Sequence, residues 1–479
     1  MADLSEECLD LLNSGDFRVV DPGPLHTPIY RFSIQRDEKQ RLIVKTEVPP
    51  NATSRAIRRP SGIVSIATER VLLRDQGGLE ATLMGVIPLK LVSNTDGINE
   101  KPHQESAQVH IAEVRNVGGN PATYAIDWLE NLPLLGFVWP NHSNVEIDLG
   151  SNEGITLGAG IIIKRKNGRS RLSRNVAKLT VEGCAFYVCA LHSDGHPRAI
   201  KPGCIVFDGT PDDAFRTKVR TALSLALGLY LVYLGTTNYD NNWRIVSALA
   251  QSAYSIERRA FEMRPELPAP LGTRFVNAVN PAELTRAISA FVRDFESLDL
   301  ANLNWAYWHA CVATPHIAPV HFGAAIEALQ NAYIKSHPGE IEETLVPRSV
   351  WRQLRKNMAA AIDDEAGISA QAKGALKFKL KGLNAVDQRT RLKAMMAAIR
   401  LGLGRDEDAA WQRRNKAAHG TPVPEDQQLA AIRDAKLLKG LFCRLLLRIT
   451  NAADQYIDYT SACFPYRDLA EAPPDMRSA

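Results

Sequence analysis

Over the first two hundred residues, apolar and polar positions alternate in short runs. "RLIVKTEV" (41–48), "GIVSIATERVLL" (62–73), "LEATLMGVIPLKLV" (79–92) and "AQVHIAEV" (107–114) combine β-branched residues with a period of two. Turn chemistry such as "DQGG", "NTDG" and "NVGGNP" separates them. Farther on, Asn167-Gly168 stands between the extended runs of "GAGIIIKRKNGRSRL" and predicts a hairpin. "KLTVEGCAFYVCALH" and "GCIVFDG" close the block. No long helical pattern interrupts it, so a mostly antiparallel sandwich or barrel is expected.

At Thr210 the period changes. "TPDDAFRTKVRTALSLALGLYLVYLG" predicts a helix with Thr210 as N-cap, Pro211 at the first position and two Asp in the first turn. "NNWRIVSALAQSAYSIERRAFEM" reads as its helical continuation. The apolar run Ala222 to Leu234 is too short for a membrane span and reads as a buried helix. "RPELPAPLG" (264–272), with three prolines, is a linker.

Beyond it, helices are expected at about 281–297, 302–312, 319–336, 349–363, 369–380, 388–402, 406–419 and 425–460. In "PVHFGAAIEALQNAYIKSH", Phe322, Ile326, Leu329 and Tyr333 share one face. The last helix is long and apolar enough to be the spine of a bundle. The fold class is therefore α+β: a β-rich domain over 1–209, a helical connector and linker over 210–272, and a helical domain over 273–479.

Charge separates the two halves. Residues 348–448 hold 21 Lys and Arg against 10 Asp and Glu, a local balance of +11. Since the whole chain is only +4, the remainder carries −7. A basic helical module beside a slightly acidic β module directs any nucleic acid to the C-terminal half, although Lys and Arg are also ordinary helix formers. The seven cysteines are scattered and form no C-x-x-C pair, which argues against a disulfide framework or a zinc cluster and for free thiols in a reducing compartment. "MADLSEECLDLLNSGDF" lacks a basic segment followed by an apolar core, so it is not a signal peptide, and a cytoplasmic location is expected.

The chemistry concentrates in "WQRRNKAAHGTP" (411–422). Arg414 and His419 have four residues between them, the first being Asn415. Of the eleven histidines, His419 alone has an Arg at this kind of spacing before it. Asn415 and His419 lie on one helix face, and Gly420 can end the helix in the left-handed conformation. His419 would then sit in the last turn, exposed and able to titrate near neutrality. Arg414 supplies a planar charged fork matched to phosphate oxygens. The bland alternative for His419 is a helix-capping histidine favoured by the dipole.

This Arg-Asn-x-x-x-His pattern resembles the R-x4–6-H motif of the HEPN superfamily of ribonucleases. Its setting is similar too: near the end of one helix of an all-α domain, followed by "GTPVPED" and a long final helix, with "HFGAAIEALQNAY" upstream. It looks most like the ApeA-type HEPN domains of bacterial anti-phage defence, over roughly residues 280–465. The resemblance implies that the helical part is a HEPN ribonuclease that needs no cofactor or metal. It implies a homodimer with a composite cleft, and RNA, tRNA among the candidates, as substrate. Arg414, His419 and Asn415 would be catalytic. Arg413 and Lys416 would contact RNA or form a solvated basic face. The β domain would sense a trigger, of phage origin in a defence setting. Glu327 could pair with Arg414, but facing water is the simpler expectation.

Other candidates are weaker. "RKNGRSRLSR" (165–174) is a basic hairpin tip, and "LGAGIIIK" opens no helix and so is no dinucleotide loop. His309, His316 and His321 are spaced too irregularly for a metal face. Cys184 and Cys189 are expected to be buried thiols.

Overall fold

The computed structural model describes residues 6–54, 69–92, 95–96, 99–100, 102–116, 119–132, 137–147, 153–157, 161–165, 171–191, 202–272, 278–418 and 427–475, with side chains left aside over 95–100, 144–173 and 415–418. The chain forms two compact units, residues 1–292 and 293–479.

The first unit is built on an antiparallel sheet of thirteen strands. In spatial order they are Arg18–Asp21, Arg70–Arg74, Leu79–Met84, Ile111–Asn116, Ile245–Gln251, Tyr233–Tyr239, Tyr124–Leu129, Gly203–Asp208, Cys184–Ala190, Arg171–Val181, Asn141–Ile147, Glu153–Leu157 and Ile161–Arg165. A second sheet of four strands, Arg31–Arg36, Leu42–Val48, His103–Val109 and Ile87–Val92, joins it. The chain changes sheets at Gly85 and at His110, which are neighbours. Gly85 holds a φ of +65°, and a Cβ there would stand 2.8 Å from that of His110. This corner needs glycine. Between the sheets lies one apolar core, with Ile34, Leu42, Val44, Ala107 and Val109 meeting Val71, Leu83, Ala112 and Val114. Helix α1 (Glu7–Ser14) adds Cys8, Leu9 and Leu12 to it. The antiparallel β reading of the first two hundred residues is correct.

Three details differ from the sequence reading. The runs flanking Asn167-Gly168 are strands but do not pair with each other. Ile161–Arg165 pairs with Glu153–Leu157, and Arg171–Val181 with Asn141–Ile147 and Cys184–Ala190. The hairpin turn is instead Glu182-Gly183, where both residues have positive φ, 49° and 78°. The tip at 166–170 lies outside the described residues.

Second, 210–272 is not a helical connector. Helix α2 (Asp213–Leu227) starts two residues later than expected, because Asp212 is the N-cap and its carboxylate accepts the Phe215 amide at 2.7 Å. It stops at Gly228, with a φ of 65°. The chain then runs as two strands, Tyr233–Tyr239 and Ile245–Gln251, near the middle of the large sheet. Central pairing on both sides overrides the helix-like apolar run that leads into the first strand and the Leu and Ala content of the second. Third, Cys184 is only half-buried while Cys189 is fully buried.

Two polar clusters tie this unit together. Asp127, fully buried, accepts from Arg220, from Arg216 at 3.3 Å and from the Thr236 hydroxyl at 2.6 Å, which docks α2 on the sheet. Elsewhere Arg36 donates to Glu6 at 3.0 Å and to the carbonyls of Gln251 and Leu234 at 2.7 and 2.8 Å. Glu130 stands beside it. Burial pushes the Glu130 carboxyl up to about 7, Arg36 lowers it and Glu6 raises it further. A carboxyl raised in the folded state favours the protonated native form. Its contribution is therefore complete at acid pH and is lost as pH rises through about 7. Glu130→Gln should raise stability at pH 8 by up to about 3 kcal/mol and change little at pH 5. Urea midpoints of both proteins across this range check it, and parallel pH profiles would refute the assignment.

The second unit is helical: α4 (Leu300–Val312), α5 (Ala318–Ser336), α6 (Arg348–Asp364), α7 (Ala370–Leu380), α8 (Gln388–Ala398), α9 (Arg405–Ala418) and α10 (Gln428–Thr450). They follow α3 (Pro281–Arg293), in which the two units divide. Phe322, Ile326, Leu329 and Tyr333 of α5 are buried, as their spacing predicts. Helix α10 is the spine, with Leu437, Leu438, Leu441, Phe442, Leu445 and Leu446 buried. It ends earlier than the expected 460. Asn451 adopts the left-handed conformation, and a short hairpin, Gln455–Ile457 with Tyr466–Asp468, follows.

Candidate functional site

Helix α9 carries the motif, and its sequence "RDEDAAWQRRNKAA" is sorted by charge. After Arg405, three acidic residues stand in the first turn, where the helix dipole favours them, and the remaining basic residues follow in the later turns. Its three acidic residues each have a partner on a neighbouring helix, while Arg405 stands 3.9 Å from Asp475 of the C-terminal segment. Asp406 accepts from Arg433 of α10 at 2.8 Å, and Asp408 from Arg389 of α8 at 2.9 and 2.5 Å. Glu407 accepts from Arg444 of α10 at 2.7 and 2.9 Å. Ala410 and Trp411 supply the buried apolar contacts. The helix is thereby clamped along its length.

Arg414 is almost fully buried, its side chain 8% exposed. Its guanidinium pairs with Glu327 of α5, donates to the Trp411 carbonyl at 2.5 Å and lies 3.4 Å over the Trp411 ring. A Cβ on Gly323 would stand 2.3 Å from Arg414 Cδ, so a glycine on α5 is what admits the side chain. Glu327 is 34% exposed, so the pair reaches the surface on the Glu327 side. The expectation that Glu327 faces water is thus corrected: it is the partner of Arg414. Arg414 also does not extend freely along α9.

Arg413 forms a two-pronged pair with Asp434 of α10, at 2.8 and 2.5 Å. Its guanidinium is half-exposed, and the Asp434 carboxylate holds its proton more firmly than usual. An RNA phosphate would have to compete with Asp434. Asn415 and Lys416 belong to the last turn of α9, and their side chains are outside the described part. His419 and Gly420 lie outside the described residues. The structure therefore places Arg414 and Arg413, pairs Glu327 with Arg414 rather than with water, and adds Gly323 and Asp434, which motif spacing does not reveal.

Among the described residues, no group of three or more His, Cys, Asp or Glu could hold a metal ion. His309 donates through Nδ1 to the Trp305 carbonyl of its own helix at 2.7 Å. No described helix is long and apolar enough to cross a membrane. Comparison with models of known protein families, with curated proteins and with solved structures gives no match for this chain.

Proposed function

We propose that the protein is a metal-independent endoribonuclease of HEPN type, acting in a homodimer with a composite cleft and serving anti-phage defence. The observation that carries the proposal is Arg414, a fixed cation at the end of α9 held by Glu327 of α5, five residues before His419. The +11 balance of residues 348–448 supplies attraction for a polyanion. In the proposed reaction the ribose 2′-OH attacks the adjacent phosphorus and the P–O5′ bond breaks. His419 moves the proton from the 2′ oxygen toward the departing 5′ oxygen, and Arg414 stabilises the charge that develops on the phosphorane. Asn415 would orient the imidazole or the phosphate. Products carry 2′,3′-cyclic phosphate, or 3′-phosphate after hydrolysis, and 5′-OH ends.

Purified protein incubated with total RNA in EDTA should still cut, and fragment-end analysis should return these termini. Fragments with 3′-OH ends, or complete loss of cutting on chelation, would refute the chemistry.

One observation favours a second reading. The Arg414 guanidinium is held by Glu327 and Trp411, which is also what a purely structural arginine does. On that reading the helical unit binds RNA or a protein without cutting, and the β domain carries the specificity.

A further inference from the structure

Outside the clamp around α9, helices α6 and α7 pack on each other as an arm. Their composition is unlike the rest of the unit. No residue of α6 is buried, and Leu380 alone is buried in α7. Residues 348–381 hold eight Lys and Arg against three Asp and Glu. The acidic residues sit together at the tip, and one of them is already used: Asp363 pairs with Lys377, and its carbonyl accepts from Lys373 at 2.6 Å. Among the described residues, no carboxylate pairs with Arg348, Arg352, Arg355, Lys356, Lys379 or Lys381.

The arm also exposes an aromatic ring. In "KFKLK" (377–381), Phe378 is 71% exposed, and Lys381 Nζ stands 5.5 Å from its centroid. Leaving a phenyl ring in water forgoes its burial, and an exposed ring flanked by lysines offers a stacking face with phosphate-binding cations beside it. Three kinds of occupant suit a basic, partly apolar surface. A second copy would bring two arms of like charge together, which costs energy. A bilayer needs a continuous apolar face. Here Trp351, Met358 and Ile362 of α6 are half-covered, and the exposed Val350, Leu354 and Leu376 are interspersed along the sequence with Arg348, Arg352, Arg355 and Lys377. The most exposed apolar group, Phe378, stands among lysines. Charge and shape favour a strand whose bases are unpaired.

We infer that the α6–α7 arm is a docking surface for single-stranded RNA, with Phe378 stacking on a base and Lys379, Lys381, Arg352 and Arg355 holding the flanking phosphates. The inference rests on the ribonuclease reading only in taking RNA as the ligand. The arm gathers the strand, and cutting occurs elsewhere.

The test uses the full chain and a short fluorescent oligouridylate, read by anisotropy at several salt concentrations. Phe378→Ala should weaken binding about tenfold or more, and Lys379→Glu with Lys381→Glu should weaken it and flatten the salt dependence. These exposed positions are distant from the apolar core, and unchanged circular dichroism confirms that each variant is folded. Undiminished binding by both arm variants overturns the inference, whether or not the protein cuts RNA. Binding that depends on the arm, in a protein that never cuts, leaves the inference standing and removes the ribonuclease reading. Association with anionic phosphatidylserine vesicles but not with the oligonucleotide, or a dimer that dissociates on Phe378→Ala, also overturns it.

Discussion

Arg444→Met should destabilise the helical unit by about 3–5 kcal/mol, the largest stability effect expected of any single side chain here. Arg444 and Glu407 are 0% and 1% exposed, and the guanidinium also donates to the Gly402 and Leu469 carbonyls at 2.8 and 3.1 Å. Burial pushes the Glu407 carboxyl up, against the lowering by Arg444. Desolvating such a pair costs much of what its attraction returns, yet removing one member leaves a buried charge with nothing to answer it. The double replacement Arg444→Met with Glu407→Leu should accordingly cost clearly less than Arg444→Met alone. Urea unfolding of the three variants forms the cycle. A single-variant loss below about 1 kcal/mol would show that the pair does not anchor α9 to α10.

Arg414→Ala should have a double effect. Cleavage should fall to background, because the cation that meets the phosphorane is gone. Stability should also fall, by roughly 1–3 kcal/mol, since the Trp411 ring and Glu327 lose their partner and a void opens against Gly323. Arg414→Lys separates the two: it retains a charge beside Glu327 but loses the planar fork, so it should recover much of the stability and little of the cleavage. If Arg414→Lys cuts RNA like the unaltered protein, bidentate phosphate recognition is not the role of this residue.

What the sequence makes legible depends on how local each determinant is. The period of α5 is readable because Phe322, Ile326, Leu329 and Tyr333 face one core. The strand at 42–48 announces itself through β-branched residues at alternate positions, and that at 203–208 through a short apolar run bounded by glycines. Tyr233–Tyr239 and Ile245–Gln251 do not, because the first opens inside the helix-like apolar run Ala222–Leu234, the Leu and Ala of the second suit either state, and their outer partners lie more than a hundred residues earlier. Asn167-Gly168 misleads for a related reason: turn chemistry marks where a chain can reverse, not which strand it will pair with. The motif itself is legible as a spacing. The pairing of Arg414 with Glu327 is not, since it joins residues 87 positions apart and depends on a glycine, Gly323, whose importance shows only when two helices cross.

The central claim is that His419 and Arg414 form a cleaving site, and His419→Ala tests it most directly. Unaltered protein and the variant are incubated with the same total RNA in EDTA, and cyclic-phosphate ends are counted over time. General acid–base catalysis contributes roughly 10²–10⁴-fold, so the account predicts a loss of at least about a hundredfold, with an unchanged urea midpoint and unchanged RNA affinity. Equal rates for both proteins would contradict it, and His419 would then be a helix cap in a module that binds without cutting.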